Sequence, residues 1–223
     1  MAGSAALAPS SAERRRAKPT RAQKVERTRA ALLDAAAKVV GEVGYTGASV
    51  TAITSRAQVG QGTFYNYFDS RDRLFDQLLP AISEQMLDFI KARGEEAASE
   101  QEREEKSFRA FFDFLAQHPE FFRVMYEAEV FAPDAYRRHT EMVLNGFVRI
   151  LGKARGRGDI AGYDAAQIEA LGLILMGARH YLCLRYGSQN GWKEKLPEKV
   201  VDAYMTLLRQ GLYGNAPAAE KTR

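Results

Sequence analysis

The stretch of residues 49–68, SVTAITSRAQVGQGTFYNYF, constrains this chain most. Ser49 suits an N-cap, and Val50, Ile53 and Ala57 recur at i, i+3, i+7, the spacing of one helix face. A turn follows at residues 58–60, with Val59 free to point inward. A second short helix over residues 61–67 then sets Phe64 and Phe68 on one side, four residues apart. Its other side carries Gln61, Gly62, Thr63, Tyr65, Asn66 and Tyr67. Two such helices need a third to close a core, and the segment before them supplies it. Thr20 and Gln23 fit a capping box, and Leu32, Ala36, Val39, Val40 and Val43 lie at helical spacing up to Gly44. The expectation is a small three-helix unit whose core leans on a neighbour.

A helix anchored by two buried aromatics, with hydrogen-bonding groups facing out, suits the major groove of DNA. That groove admits one α-helix, whose side chains reach the base edges. Gln61, Thr63 and Asn66 have the chemistry to read bases, and Gly62 leaves room for close approach. Tyr65 and Tyr67 are long enough for phosphates. Ser49 and Thr51, at the start of the first helix, can hold a phosphate beside the helix N–H groups. Arg71, just beyond, can clamp the backbone. The plain alternative is a helical hairpin with exposed tyrosines.

Charge distribution bears on this choice. The chain carries +4 overall, yet residues 1–30 hold eight Lys or Arg against Glu13 and Glu26, a local +6 that leaves −2 for the rest. Basic charge gathered at one end suits a polyanion, although a solubilising tail has the same composition.

Beyond residue 70 the pattern stays helical. Ser70 or Asp69 caps a fourth helix carrying Leu74, Phe75, Leu78, Leu79, Ile82, Met86, Phe89 and Ile90, with Pro80 predicting a kink or an early break. The charged residues 93–106 read as a solvated seam. Helix-period segments follow over 107–118, 119–131, 133–153, 164–186 and 197–212, with Pro119, Pro133 and Pro197 in first-turn positions and residues 153–159 as a connection. No strand alternation and no repeat is present. The fold class is all-α: an N-terminal three-helix helix-turn-helix domain over 20–70 and a larger helical domain over 71–213, flanked by disordered ends at 1–19 and 214–223.

Residues 164–186 are apolar most of the way round, so they need cover on more than one side. With 197–212, which adds Val200, Val201, Tyr204, Leu207 and Leu208, they suit a homodimer interface, Gly172 and Gly177 allowing close approach. The alternative is core within a monomer. Residues 108–131 are dense in aromatics. They can be solid core, or some can line a cavity for a hydrophobic ligand; the candidates are Phe111, Phe112, Leu115, Met125, Tyr126, Phe147, Met176, Arg179, His180 and Tyr181. Arg179 either orients the polar end of a ligand or pairs with a glutamate such as Glu127 or Glu129; His180 either touches ligand or is a bonded core histidine. Arg149, Lys153, Arg155 and Arg157 favour a helix C-terminus, or meet phosphates of an acyl-thioester ligand.

Enzyme chemistry finds no footing. The single cysteine, Cys183, lies in the most apolar run, where a thiolate is disfavoured. His118, His139 and His180 are too scattered for a metal motif, and neither Gly152-Lys153 nor Gly60-x-Gly62 completes a phosphate-binding loop. No cofactor and no metal is expected. The longest wholly apolar stretch, residues 170–178, is too short to span a bilayer, and one cysteine permits no internal disulfide, so a cytoplasmic setting is expected.

Residues of about 21–75 resemble the N-terminal domain of the TetR/AcrR transcriptional regulators. The resemblance runs through Ala35-Ala36, Gly44-Tyr45 and Ser49-Val50-x-x-Ile53, and above all Gly62-Thr-Phe-Tyr-Asn-Tyr-Phe68 followed by Ser70-Arg-x-x-Leu-Phe75. The family usually has Ala-Gly-Val-Ser at the turn, where this chain has Ala57-Gln58-Val59-Gly60. Gln58 thus stands where φ > 0 is expected, and Gly60 lacks the capping hydroxyl. The resemblance implies a homodimeric regulator, most simply a repressor, that binds a palindromic double-stranded DNA operator. It implies a C-terminal domain that takes a small-molecule effector and dimerises through its last two long helices, with ligand moving the fourth helix and so the two recognition helices. An effector-independent DNA-binding protein and an enzyme reusing the fold are the competing readings.

Overall fold

The computed structural model describes residues 20–95, 97–160, 162–190 and 195–210; the expected basic arm and C-terminal tail lie outside them. Among the described residues every regular element is a helix: α1 (Arg21–Gly47), α2 (Val50–Ala57), α3 (Gln61–Tyr65), α4 (Arg71–Gly94), α5 (Glu100–Gln117), α6 (Glu120–Phe131), α7 (Pro133–Arg157), α8 (Ala165–Asn190) and α9 (Glu198–Gln210).

Local chemistry starts and stops them. Thr20 Oγ1 accepts from the Gln23 N–H while Gln23 Oε1 accepts from the Thr20 N–H, a complete capping box. Asp164 and Gln167 repeat it at α8, each bond 2.8 Å. Ser49, Ser70 and Ser99 cap α2, α4 and α5. Gly44, at φ 75°, breaks α1 inside its nominal span, and Gly158 ends α7 in the left-handed region.

The first core gathers Leu32, Ala36, Val40, Ile53, Phe64, Phe68, Leu74 and Leu78, all buried. Val43, expected inward, is 50% exposed: the break at Gly44 turns the chain so that Tyr45, not Val43, fills the core. Instead, Leu33, Ala35 and Ala37 are also buried, because α1 packs on α6 as well as on α2 and α4. Behind this unit α4 lies against α5 and α7, α7 against α8, and α9 against α5.

Several boundaries differ from the pattern in the sequence. Pro80 neither breaks nor ends α4. Its missing N–H leaves the Asp76 carbonyl without its helical donor, and the Arg138 guanidinium of α7 donates to that oxygen. The charged seam is only partly a loop, since α5 already begins at Glu100. There Glu102 Oε2 accepts from the Ala98 N–H and Glu102 bonds Lys106. The expected connection from residue 153 is helical as far as Arg157. Gly172 packs on α7 of the same chain, where a Cβ would lie 3.0 Å from Leu144, rather than waiting for a partner helix.

Candidate nucleic-acid interface and cavity

The helix-turn-helix is built from its turn outward. Gln58 takes φ 57°, ψ 39°, the one positive φ of a non-glycine among the described residues, and its N–H reaches the Thr54 and Ser55 carbonyls. Thr54, which carried no expectation, is buried, its hydroxyl turned back to the Val50 carbonyl at 2.9 Å. Gly60 caps α3 with its backbone alone. The helical part of α3 is shorter than expected, Asn66 and Tyr67 continuing as a turn whose N–H groups bond Thr63 and Phe64.

Phe64 and Phe68 are buried with ring centroids 5.7 Å apart, which fixes the opposite side outward. Gln61, Gly62, Tyr65 and Asn66 are exposed there, and Thr63 and Tyr67 are half-buried. Tyr65 is 56% exposed and stands edge-on to Phe64. Gln61 donates through Nε2 to Thr51 Oγ1 at 2.8 Å, tying the start of α3 to the start of α2. The Ser49 hydroxyl is engaged as a cap by the Ala52 N–H. Arg71 lies over the Phe75 ring at 5.4 Å, at the head of α4 on the same side of the turn after α3. Arg29, missed from sequence, crosses Phe68 and donates to Gln77, bracing α1 on α4.

The second feature is a partly open cavity of about 310 Å³ lined by α4, α5, α6, α7 and α8. Of the residues named from sequence, Phe111, Leu115, Met125, Phe147, Met176, Arg179 and His180 line it. Phe112 does not; it is core, edge-on to Phe108. Tyr126 stacks on Phe122 but points to solvent, and Tyr181, 71% exposed, lies on the outer side of α8. Gly177 is in the cavity wall, with open space where a Cβ would stand.

Arg179 makes an ion pair with a glutamate, as one of the two readings had it, but the partner is Glu104 rather than Glu127 or Glu129. Its Nη2 meets Glu104 at 2.7 Å and its Nη1 donates to the Tyr204 hydroxyl at 2.9 Å, while that hydroxyl donates to Glu104 at 2.8 Å. The guanidinium also lies over Phe108, Phe147 and Tyr204. Burial pushes the Tyr204 phenol pKa well above its ordinary value, so it is a donor at neutral pH. Cys183 also lines the cavity; burial raises its thiol pKa, against a weaker pull from Arg179, and keeps it protonated. Tyr136, His139, Thr140 and Val143 of α7 line the wall unannounced. Their i, i+3, i+4, i+7 spacing is the signal that marks them.

α6 joins the two features. One side of it gives Phe121, Phe122 and Met125 to the cavity. The other clamps the broken end of α1: Arg123 Nη1 donates to the Gly41 and Glu42 carbonyls, Glu127 Oε2 accepts the Tyr45 N–H at 2.9 Å, and Arg123 bonds Glu127 at 2.6 Å. The basic residues Arg149, Lys153, Arg155 and Arg157 are exposed at the C-terminal end of α7. Among the described residues no group of three His, Cys, Asp or Glu is placed to hold a metal, and no helix is long and apolar enough to cross a membrane.

Comparison with known proteins matches residues 32–78 to the family described as bacterial regulatory proteins, tetR family. The HTH-type transcriptional repressor NicS of Pseudomonas putida is 33% identical over 111 residues, 47% of this chain and 50% of NicS, so the match spans half of that relative's length. The fatty acid degradation regulator FadR from Bacillus halodurans superposes with a TM-score of 0.71 at 22% identity, covering 84% of this chain and 97% of that one. FadR from Bacillus subtilis, solved in complex with stearoyl-CoA, gives 0.69 at 21% identity over 82% and 98%. At these identities the structural likeness is one of fold.

Proposed function

We propose that this chain, a transcriptional regulator belonging to the TetR family, is a homodimeric repressor that holds a palindromic operator through two copies of α3 and releases it when a small hydrophobic molecule enters the cavity. The observation that carries this reading is the double duty of α6: a ligand pressing on Phe121, Phe122 or Met125 acts on the same helix that grips α1 through Arg123 and Glu127. A ligand that fits the cavity in only one position of α6 shifts the protein between a DNA-binding and a released form. α4 shares in this, since it lines the cavity with Met86 and Ile90 and begins at Arg71 beside α3.

An apolar stripe supports the dimer. Leu173, Ile174 and Tyr181 of α8 and Leu207 and Leu208 of α9 are exposed in a single protomer. Large apolar side chains left exposed on both C-terminal helices are what an interface between two copies would cover. Two-fold symmetry would present the α3 helices to half-sites separated by a whole number of helical turns.

Sequencing the genomic fragments retained by the purified protein tests the reading. A palindromic site should emerge, and Tyr65→Ala and Asn66→Ala should each lose it while the protein stays dimeric. Retention of the same fragments by both variants would refute the assignment of α3.

A further inference from the structure

We propose that His139 presents an unprotonated Nε2 to the cavity and thereby selects a hydrophobic ligand bearing a neutral O–H or N–H donor, such as an alkylphenol, over a carboxylate or an ether of the same shape. The inference rests on reading the cavity as a ligand site.

The tautomer follows from counting hydrogens. His139 is 7% exposed, and its Nδ1 lies 2.7 Å from Ser83 Oγ. The same Oγ is 2.6 Å from the Leu79 carbonyl oxygen. Serine has one hydroxyl hydrogen, and two oxygens at that distance need it between them. Nδ1 therefore carries the ring proton and donates to Ser83, which leaves a lone pair on Nε2. Burial, with the Phe121 ring edge-on to the imidazole at 6.0 Å, keeps the ring neutral, its pKa drawn down to about 4.

The direction of Nε2 follows from its surroundings. Among the described residues every fully buried side-chain nitrogen or oxygen has a partner. Nε2 has none among the described residues, and His139 is in the cavity wall, so its accessible edge is the cavity edge. Two other polar groups of the wall, Thr140 and Arg179, are already engaged. Thr140 Oγ1 donates to the Tyr136 carbonyl. Arg179, the obvious anchor for an anion, is balanced by Glu104 and bonded by Tyr204. At Arg179 a carboxylate would have to displace Glu104, and at His139 it would face a lone pair. An apolar body with one neutral donor meets both conditions without moving either group.

The test is a titration with 4-alkylphenols of butyl to octyl chain length, against the matched 4-alkylanisoles and 4-alkylbenzoates, with DNA retention read in parallel. Wild-type protein should bind its best phenol roughly tenfold to a hundredfold more tightly than the matched anisole or benzoate, the cost of stranding a buried acceptor. His139→Leu should erase that preference and His139→Gln, which keeps an acceptor, should restore part of it. Equal binding of anisoles or benzoates, no binding by any phenol, or an undiminished preference in His139→Leu would overturn the assignment. Anisoles or benzoates that release DNA as well as phenols would sink this inference and leave the regulator reading standing. Selective phenol binding that leaves DNA affinity unchanged would do the reverse.

Discussion

Replacing Glu127 with alanine tests whether α6 holds the DNA-binding helices to the cavity. The carboxylate accepts the Tyr45 N–H at 2.9 Å and the Arg123 Nε–H at 2.6 Å, with 23% of its side chain exposed. Stranding the half-buried Tyr45 N–H costs about 1–3 kcal/mol. The Arg123 contact, half in solvent, adds a few tenths to about 1 kcal/mol. Arg123 keeps its bonds to the Gly41 and Glu42 carbonyls, so the clamp loosens without opening. The expected loss is about 2 kcal/mol, or roughly 4–8 °C in Tm at fixed protomer concentration. Glu127→Gln retains an acceptor for Tyr45 and should lose about 1 kcal/mol or less. The sign of the pH dependence is set by the same contacts. Burial works to raise the Glu127 pKa, but the Arg123 bond, the Tyr45 N–H and the Arg123 charge outweigh it and hold it below the usual 4.5. The unfolded chain therefore takes up the proton first on acidification. The advantage of wild type over Glu127→Gln is full at neutral pH and shrinks as pH falls below 4.5. Urea melts of the three proteins across pH, with operator affinity measured with and without ligand, would check this. The argument fails if Glu127→Ala lies within about 0.5 kcal/mol of wild type, the scatter of surface substitutions, or if the gap to Glu127→Gln is insensitive to acid.

Three further outcomes follow from particular side chains. Gln58→Gly should raise stability by about 0.5–1 kcal/mol by relieving the left-handed backbone, with DNA affinity unchanged; a lower urea midpoint would show that the side chain contributes more than the strain costs. His139 is held neutral with a pKa of about 4 against 6.5 unfolded, so its contribution is complete above pH 6.5 and lost on the way down to pH 4. The total is about 3 kcal/mol, and a wild-type stability curve parallel to that of His139→Gln over this window would contradict it. Ile174→Asp, at a position 62% exposed in the protomer, should leave helix content intact and yield monomers in sedimentation; a persistent dimer would move the interface elsewhere.

What the sequence determined was local. Ser49, Gln58, Gly60 and the Phe64–Phe68 pair act over a few residues, through caps, one left-handed backbone position and one helix face, so the helix-turn-helix could be read off the chain. Helix type was equally legible, because apolar spacing and capping groups are short-range. Helix length was less so: Pro80 reads as a break until Arg138, 62 positions from Asp76, supplies the missing donor. The cavity lay at the limit of such reading. Aromatic density in 108–131 raised it as a possibility, but which rings face inward depends on how α5 and α6 are rotated against their neighbours, and so Phe112, Tyr126 and Tyr181 fell elsewhere. The polar contacts were beyond it. Arg179 found Glu104, 75 residues away, and His139 found Ser83, 56 away, and no periodicity announces a partner at that separation. The helix-turn-helix was legible in the chain because its geometry is set within single turns of helix. Tertiary structure decided which polar groups of the cavity are free, because the ion pairing of an arginine and the tautomer of a histidine are set by their neighbours.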